Sequence, residues 1–268
     1  MKKIPPLCLA MTVALSMPGA FAVADDAPSQ ASQFDLDQQV LSQGPMLLGN
    51  LRQAREEALR RDPWGMISSL QEARRLLYAM AAAERELHPE GPPGARRPRD
   101  ATLPSDLVVP LGQPLEMDRP ESGGREQAIG RFEGRAGTIP LAPVAQDVDR
   151  ALAALQNRPP ALGAALLATE DALRQVHWDK GLEPQAWAAA RDRVLKGYAL
   201  ALDARPEARA RLAGAREALA ALPGGESFVQ RLVAAQAGST PDLATLSALV
   251  DDLDAKVRSL RETAEVAH

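Results

Sequence analysis

This chain predicts an all-α fold built from antiparallel helical hairpins packed as a bundle, and three observations carry that reading. Apolar residues recur at spacings of three and four through most of its length. Aromatics are only 3% of the chain, so a core must be made from alanine and leucine, which favour close-packed helices over sheets. Prolines mark the breaks between periodic stretches, as in Asp62-Pro63, Pro159-Pro160 and Thr240-Pro241, and a proline in the first turn of a helix loses no hydrogen bond.

The elements follow in order. Lys2 and Lys3 precede a short apolar run, and small residues close it at Ala20-Phe21-Ala22 and Ala22-Val23-Ala24. This is the pattern of a secretory signal peptide over 1–24, cleaved near Ala22 or Ala24, with an apolar run too short to span a membrane comfortably. Cys8, the one cysteine, sits within that run, so cleavage leaves neither a disulfide framework nor a catalytic thiol. Residues 25–33 are small and polar and read as a flexible lead. Helical spacing begins at Phe34, Val40 and Leu41. Gly44-Pro45 interrupts it, Pro45 opens the next helix, and Leu47, Leu51, Ala54 and Ala58 form its face. Asp62 is placed to cap the following helix from its side chain. Met66, Leu70, Ala73, Leu77 and Met80 continue the spacing there, and the short loop requires the two helices to lie antiparallel.

Residues 89–143 interrupt this pattern, holding ten of the chain's 22 prolines. Residues 90–100 read as a solvated linker. Two short apolar runs flank Gly112 in 106–117, which predicts a small β-hairpin confined to edge pairing by Pro110 and Pro114. A short helix fits near Arg125–Phe132. Regular helix returns near Pro143, with Val148, Leu152 and Leu155 on one face, and Leu162, Leu166, Thr169 and Leu173 on the next. Shifted by 96, Leu59 meets Leu155, Pro63 meets Pro159, Leu70 meets Leu166 and Leu77 meets Leu173, as if one hairpin unit were used twice. Beyond 180, four more helices are expected to start near Glu183-Pro184, Arg205-Pro206, Gly225-Glu226 and Thr240-Pro241. In the last, Thr240 caps, and Leu243, Leu246, Val250, Leu253, Val257 and Leu260 form a heptad seam. Such a seam serves either a homo-oligomer or the chain's own bundle.

Charge and motif content exclude several functions. Lysine and arginine number 31 against 35 acidic residues, and removal of Lys2 and Lys3 leaves 29 against 35, a mature net charge of −6. That disfavours nucleic acid or an anionic membrane as partner. The basic residues are mostly arginine, the bias of GC-rich bacterial coding, and a two-membrane bacterium would place an exported product in the periplasm. His88, His177 and His268 lie far apart, so no zinc or copper set forms and no metal or cofactor is expected. His177-Trp178-Asp179 reads as a helix end. No nucleophile elbow, phosphate loop or dinucleotide fingerprint occurs, and Asp251, Asp252 and Asp254 lie on a helix rather than in a calcium loop. No catalytic residue is assigned.

One resemblance adds to this. Ser42-Gln43-Gly44, Ala54-Arg55, Ala58-Leu59, Asp62-Pro63, Glu72-Ala73 and Leu76-Leu77 resemble the N-terminal helical hairpin of the YfdX family. Pro140-Leu141, Leu152–Leu155, Leu166-Leu167 and Glu170-Asp171 are similar to that family's C-terminal hairpin. The likeness covers 34–180, interrupted by 89–143, and leaves 181–268 as a C-terminal helical extension outside it. The proline-rich middle departs from the family's pattern. The resemblance implies an exported, helical protein of acid- and heat-tolerance gene clusters in Gram-negative bacteria, with no catalytic residues to carry over. The expectation is therefore a non-catalytic, chaperone-like protein binding stressed periplasmic proteins or partner chaperones, with Met66, Leu70, Leu77 and Met80 as its docking face. The alternatives are an adaptor dimerising through 241–262 and an enzyme acting on envelope material through a carboxylate pair. Carboxylate titration near pH 4, not histidine titration near pH 6, is expected to govern any acid response.

Overall fold

The computed structural model describes residues 30–87, 107–110, 136–176 and 184–266. Among them the fold is all-α, a bundle of eight helices with one two-stranded ribbon. The signal peptide, the 90–100 linker, the Arg125–Phe132 helix and all three histidines lie outside these residues.

Helix α1 (Gln30–Leu59) and helix α2 (Pro63–Leu87) form the first hairpin. The turn takes three residues because Asp62 serves both helices. Arg61 adopts φ +61°, its N–H donates to Ala58 O at 3.1 Å, and the Asp62 N–H donates to Glu57 O at 2.8 Å. That is a Schellman ending for α1, with arginine where glycine is usual. The Asp62 side chain then accepts from the Trp64 and Gly65 amides, both at 3.0 Å, and caps α2 as expected.

Two expectations at this end are corrected. Gln30–Gln33 belong to α1 rather than to a lead, and α1 runs unbroken through Gly44-Pro45. Pro45 forfeits one backbone bond, but Leu47, Leu48, Leu51, Ala54 and Ala58 are all buried just beyond it. Packing of that face keeps the helix continuous.

Strand β1 (Leu107–Pro110) pairs antiparallel with strand β2 (Ala136–Ile139), Leu107 opposite Ile139. Strand β1 falls in the first half of 106–117 and its described partner is 136–139, while the hairpin expected about Gly112 extends outside the described residues. Residues 111–117 lie outside the described set. Helices α3 (Leu141–Leu155) and α4 (Leu162–Gln175) form the second hairpin. It packs on the first through α2 against α3 and α1 against α4. Leu59 and Leu155 both end helices, and Leu70 and Leu166 are both buried, as the 96-residue shift predicts. The turns differ. Pro63 opens α2, whereas Pro159 sits in a longer connection, after a cis peptide bond, before α4 begins at Leu162.

Helices α5 (Gln185–Leu202), α6 (Ala208–Ala220), α7 (Glu226–Ala235) and α8 (Leu243–Val266) follow at the expected starts. The last cap is corrected. Asp242, not Thr240, accepts from the Ala244 amide at 3.0 Å and from the Thr245 hydroxyl at 2.6 Å. A carboxylate at that position holds two donors at once, and Pro241 lies before the helix.

These four helices share one core with the first four. Tyr198 of α5 is fully buried, its hydroxyl donating to Leu59 O at 3.1 Å, and Ser247 of α8 donates to the same carbonyl at 3.1 Å. The orphan C-terminal carbonyl of α1 is thus satisfied by two later helices. This brings α1, α4, α5 and α8 together around one cleft.

Candidate functional site

The cleft has a volume of about 480 Å³. Its apolar walls include Leu48, Leu173 and Val257. Its polar lining is an alternating chain of charges across four helices. Arg55 of α1 binds Glu170 of α4 through Nε and Asp254 of α8 through Nη2. Asp254 also takes Arg191 of α5 at 3.4 Å, Arg191 holds Asp192 at 2.8 Å, and Asp192 meets Arg174 of α4 at 2.8 Å. Glu170 is buried, and the Arg55 and Asp254 side chains retain 15% and 18% of their exposure. Burial works against the Arg55 guanidinium charge, but Glu170 and Asp254 outweigh it and hold the group above its ordinary range. Arg191 follows the same balance, with Asp192 foremost among its partners.

The remaining cations stand on the same faces. Arg52 precedes Arg55 by three residues on α1, and Arg258 and Arg261 follow Asp254 by four and seven on α8. Those are same-face spacings on a helix. Burial and the neighbouring Arg258 charge both lower the Arg52 guanidinium from its ordinary value.

The docking face expected from sequence is corrected. Met66, Leu70, Leu77 and Met80 are each fully buried in the chain's own core. Neighbouring helices cover the face that would have been lent to a client. The oligomer seam is corrected likewise. Leu246, Val250, Leu253 and Val257 are buried, and Leu243 and Leu260 pack partly buried against the same core. Among the described residues the exposed large apolar side chains are Met46, Trp64, Tyr78 and Val233, an ordinary scatter of single residues. Among the described residues no three His, Cys, Asp or Glu side chains gather as metal ligands would, and no helix is long and apolar enough to cross a membrane.

Sequence reasoning missed the charge chain, although a signal was present. Arg55 lies four after Leu51 and three before Ala58, and Glu170 stands likewise between Leu166 and Leu173. Arg191 lies so between Trp187 and Val194, and Asp254 between Val250 and Val257. Each is a charge set inside an apolar stripe, which a stable fold tolerates only with a partner. The resemblance also includes both Arg55 and Glu170, without assigning either a role.

A second buried carboxylate lies at the α3–α4 interface. Asp147 is 6% exposed, accepts from Gln175 and pairs with Arg150 at 2.8 Å, and Arg150 also reaches Asp171 at 2.8 Å. Burial pushes its carboxyl above the ordinary 3.8, Arg150 opposes, and Asp171 adds to the rise. The folded state therefore holds this proton more tightly than the unfolded chain. Ionised Asp147 costs stability at neutral pH, and the cost is relieved as pH falls through the raised value toward 3.8. Asp147→Asn removes that relief. Its stability relative to the parent should fall between about pH 7 and pH 4, the span over which carboxylates titrate. Urea midpoints at the two values check this, and parallel changes would rule it out.

No family model, curated protein or solved structure matches the chain.

Proposed function

We propose that the chain is an exported, non-catalytic stress-tolerance protein of the YfdX type, which holds a partner presenting negative charge in the cleft between α1, α4, α5 and α8. The supporting observation is the lining itself, which among the described residues has six arginines and four carboxylates and no Ser, Thr, Tyr, Cys or His. Covalent catalysis needs a nucleophile beside a base, and acid–base catalysis needs a group free to move a proton. Here Glu170 and Asp254 are both engaged by Arg55. Guanidinium forks on rigid helices suit recognition of anionic groups. The resemblance supplies the setting, export and tolerance to heat and acid.

The test is the aggregation of a heat- or acid-stressed client, followed by light scattering. The parent protein is expected to slow it, and the Arg52→Gln, Arg258→Gln double variant to slow it less. No effect of the parent at several-fold molar excess would end the protective reading. Equal action of parent and variant would move the binding surface away from the cleft.

A further inference from the structure

The second helical hairpin has a covalent connection at one end, where residues 156–161 join α3 to α4. At its open end the two helices meet through side chains. Asp147, in the second turn of α3, faces Gln175, the last residue of α4. Gln175 Nε2 donates to Asp147 Oδ2. The other half of the same amide, Gln175 Oε1, is buried and has no hydrogen-bond partner among the described residues. A buried acceptor without a donor is unfavourable, and folds rarely keep one.

The charged groups around this pair are spent elsewhere. Arg150, on α3 itself, pairs with Asp147 Oδ1 at 2.8 Å and with Asp171 Oδ2 of α4 at 2.8 Å. Arg174 of α4 stands 4.0 Å from Asp171 and holds Asp192 of α5 at 2.8 Å. From α2, which also packs on α3, Arg74 takes Asp149 at 2.9 Å. None of them gives a donor to Gln175 Oε1.

A proton on Asp147 gives one. An ionised carboxylate only accepts, so it can use the nitrogen of the amide and never the oxygen. A carboxylic acid has one edge that donates and one that accepts, which matches the two edges of a primary amide. Arg150 can leave Oδ1 and still hold Asp171. Burial at this position favours the neutral acid in the same direction.

We propose that Asp147 and Gln175 form a proton-operated clasp across the open end of the α3–α4 hairpin. On taking a proton from solvent, Asp147 donates it to Gln175 Oε1, keeps the bond from Nε2, and leaves Arg150 to Asp171. One interhelical hydrogen bond becomes a ring of two. The open end of the hairpin therefore tightens as pH falls, whereas a surface ion pair weakens when its carboxylate is protonated.

The experiment is a carbon-13 NMR titration of the full chain between about pH 7 and pH 3, the span over which carboxylates titrate. It follows Asp147 Cγ and Gln175 Cδ, assigned with Asp147→Asn and Gln175→Met. In the parent, Gln175 Cδ is expected to move downfield, as a carbonyl does on accepting a hydrogen bond, with the midpoint of Asp147 Cγ. That reading needs no substitution, so it stands whether or not a variant folds. Gln175→Met, which keeps the length and removes both amide atoms, should lower the Asp147 midpoint by about half a pH unit, the size of one net hydrogen bond. The acid form loses two bonds there and the ionised form one. Arg150→Met should raise the midpoint, because Arg150 favours the ionised form. Circular dichroism checks that each variant is folded.

A Gln175 Cδ that stays in place or moves upfield while Asp147 titrates would overturn the clasp. So would an unchanged or raised Asp147 midpoint in Gln175→Met, which is the behaviour of a glutamine that only donates to the carboxylate. A midpoint lowered by Arg150→Met would overturn the arrangement of charges on which the clasp depends.

Discussion

Arg55→Met is expected to lower the stability of the fold by about 3 kcal/mol at neutral pH, the lower end for removing one member of a buried ion pair. Arg55 pairs at once with Glu170 of α4 and Asp254 of α8. Without it two mostly buried carboxylates face each other's helices with reduced compensation, and Asp254 is left with Arg191 at 3.4 Å among the described residues. The loss is placed at the lower end because the Arg55 and Asp254 side chains stay partly wet, at 15% and 18% exposure. Arg60→Met is the comparison. Arg60 is on the same helix turn region but is 64% exposed, and its Glu56 partner is 52% exposed. Solvent screening leaves such a pair about 0–1 kcal/mol. The Arg55 penalty is one of unpaired charge, so it should shrink when Glu170→Gln and Asp254→Asn accompany it. Urea unfolding of the parent, the two single variants and the triple variant checks all of this. A loss no larger for Arg55→Met than for Arg60→Met would show that the network does not tie the helices together.

Much of the bundle was legible because a helix that must bury one face repeats its apolar residues with the helical period. Leu47, Leu51, Ala54 and Ala58 share one face by their spacing, and that face is buried. Asp62 is legible as a cap because its carboxylate needs only local geometry to reach the amides ahead of it. Misreadings arose where a tertiary contact overrides a local rule. Pro45 breaks a helix by its own chemistry, yet α1 continues because its buried face holds it. The stripe Met66, Leu70, Leu77 and Met80 had the right spacing and the wrong destination. Periodicity says that a face is covered, never by what. The same limit hid the cleft. Arg55, Glu170, Arg191 and Asp254 announce themselves as charges within apolar stripes, but no spacing on one helix says which charge on another will meet it.

Gly163→Ala is the second change with a large expected effect, and it acts through backbone. Gly163 lies in the first turn of α4, where α4 crosses α5. A Cβ there would stand 1.8 Å from the carbonyl oxygen of Ala199 and 2.6 Å from its carbon. Both are main-chain atoms of α5, so no rotamer can relieve the clash. The contact also carries a cap that local sequence does not contain. Ala161 gives α4 no side-chain cap. Instead Asp203, at the end of α5, accepts the Gly163 amide at 2.7 Å and the Ala164 amide at 2.8 Å. The chain can present Asp203 there because Ala204 takes φ +51° and closes α5 with Arg205 N–H donating to Leu200 O at 2.8 Å. Pushing α4 off α5 therefore costs overpacking strain of about 1–3 kcal/mol and weakens a cap of about 1 kcal/mol. The sum expected is about 3 kcal/mol. Gly214→Ala is the matched control. It sits inside α6 with nothing within 4 Å of the added carbon, so it should stabilise by up to about 1 kcal/mol through helix propensity. Thermal or urea unfolding distinguishes the two, and a Gly163→Ala protein no weaker than Gly214→Ala would exclude the close approach. The same displacement reaches the cleft, because α4 carries Glu170 and Arg174 into it. With α4 shifted, Glu170 leaves Arg55, and Arg55→Met should then cost less in the Gly163→Ala background than in the parent. That coupling would tie a glycine at one end of α4 to the charge chain along its length, through the rigidity of the helix between them.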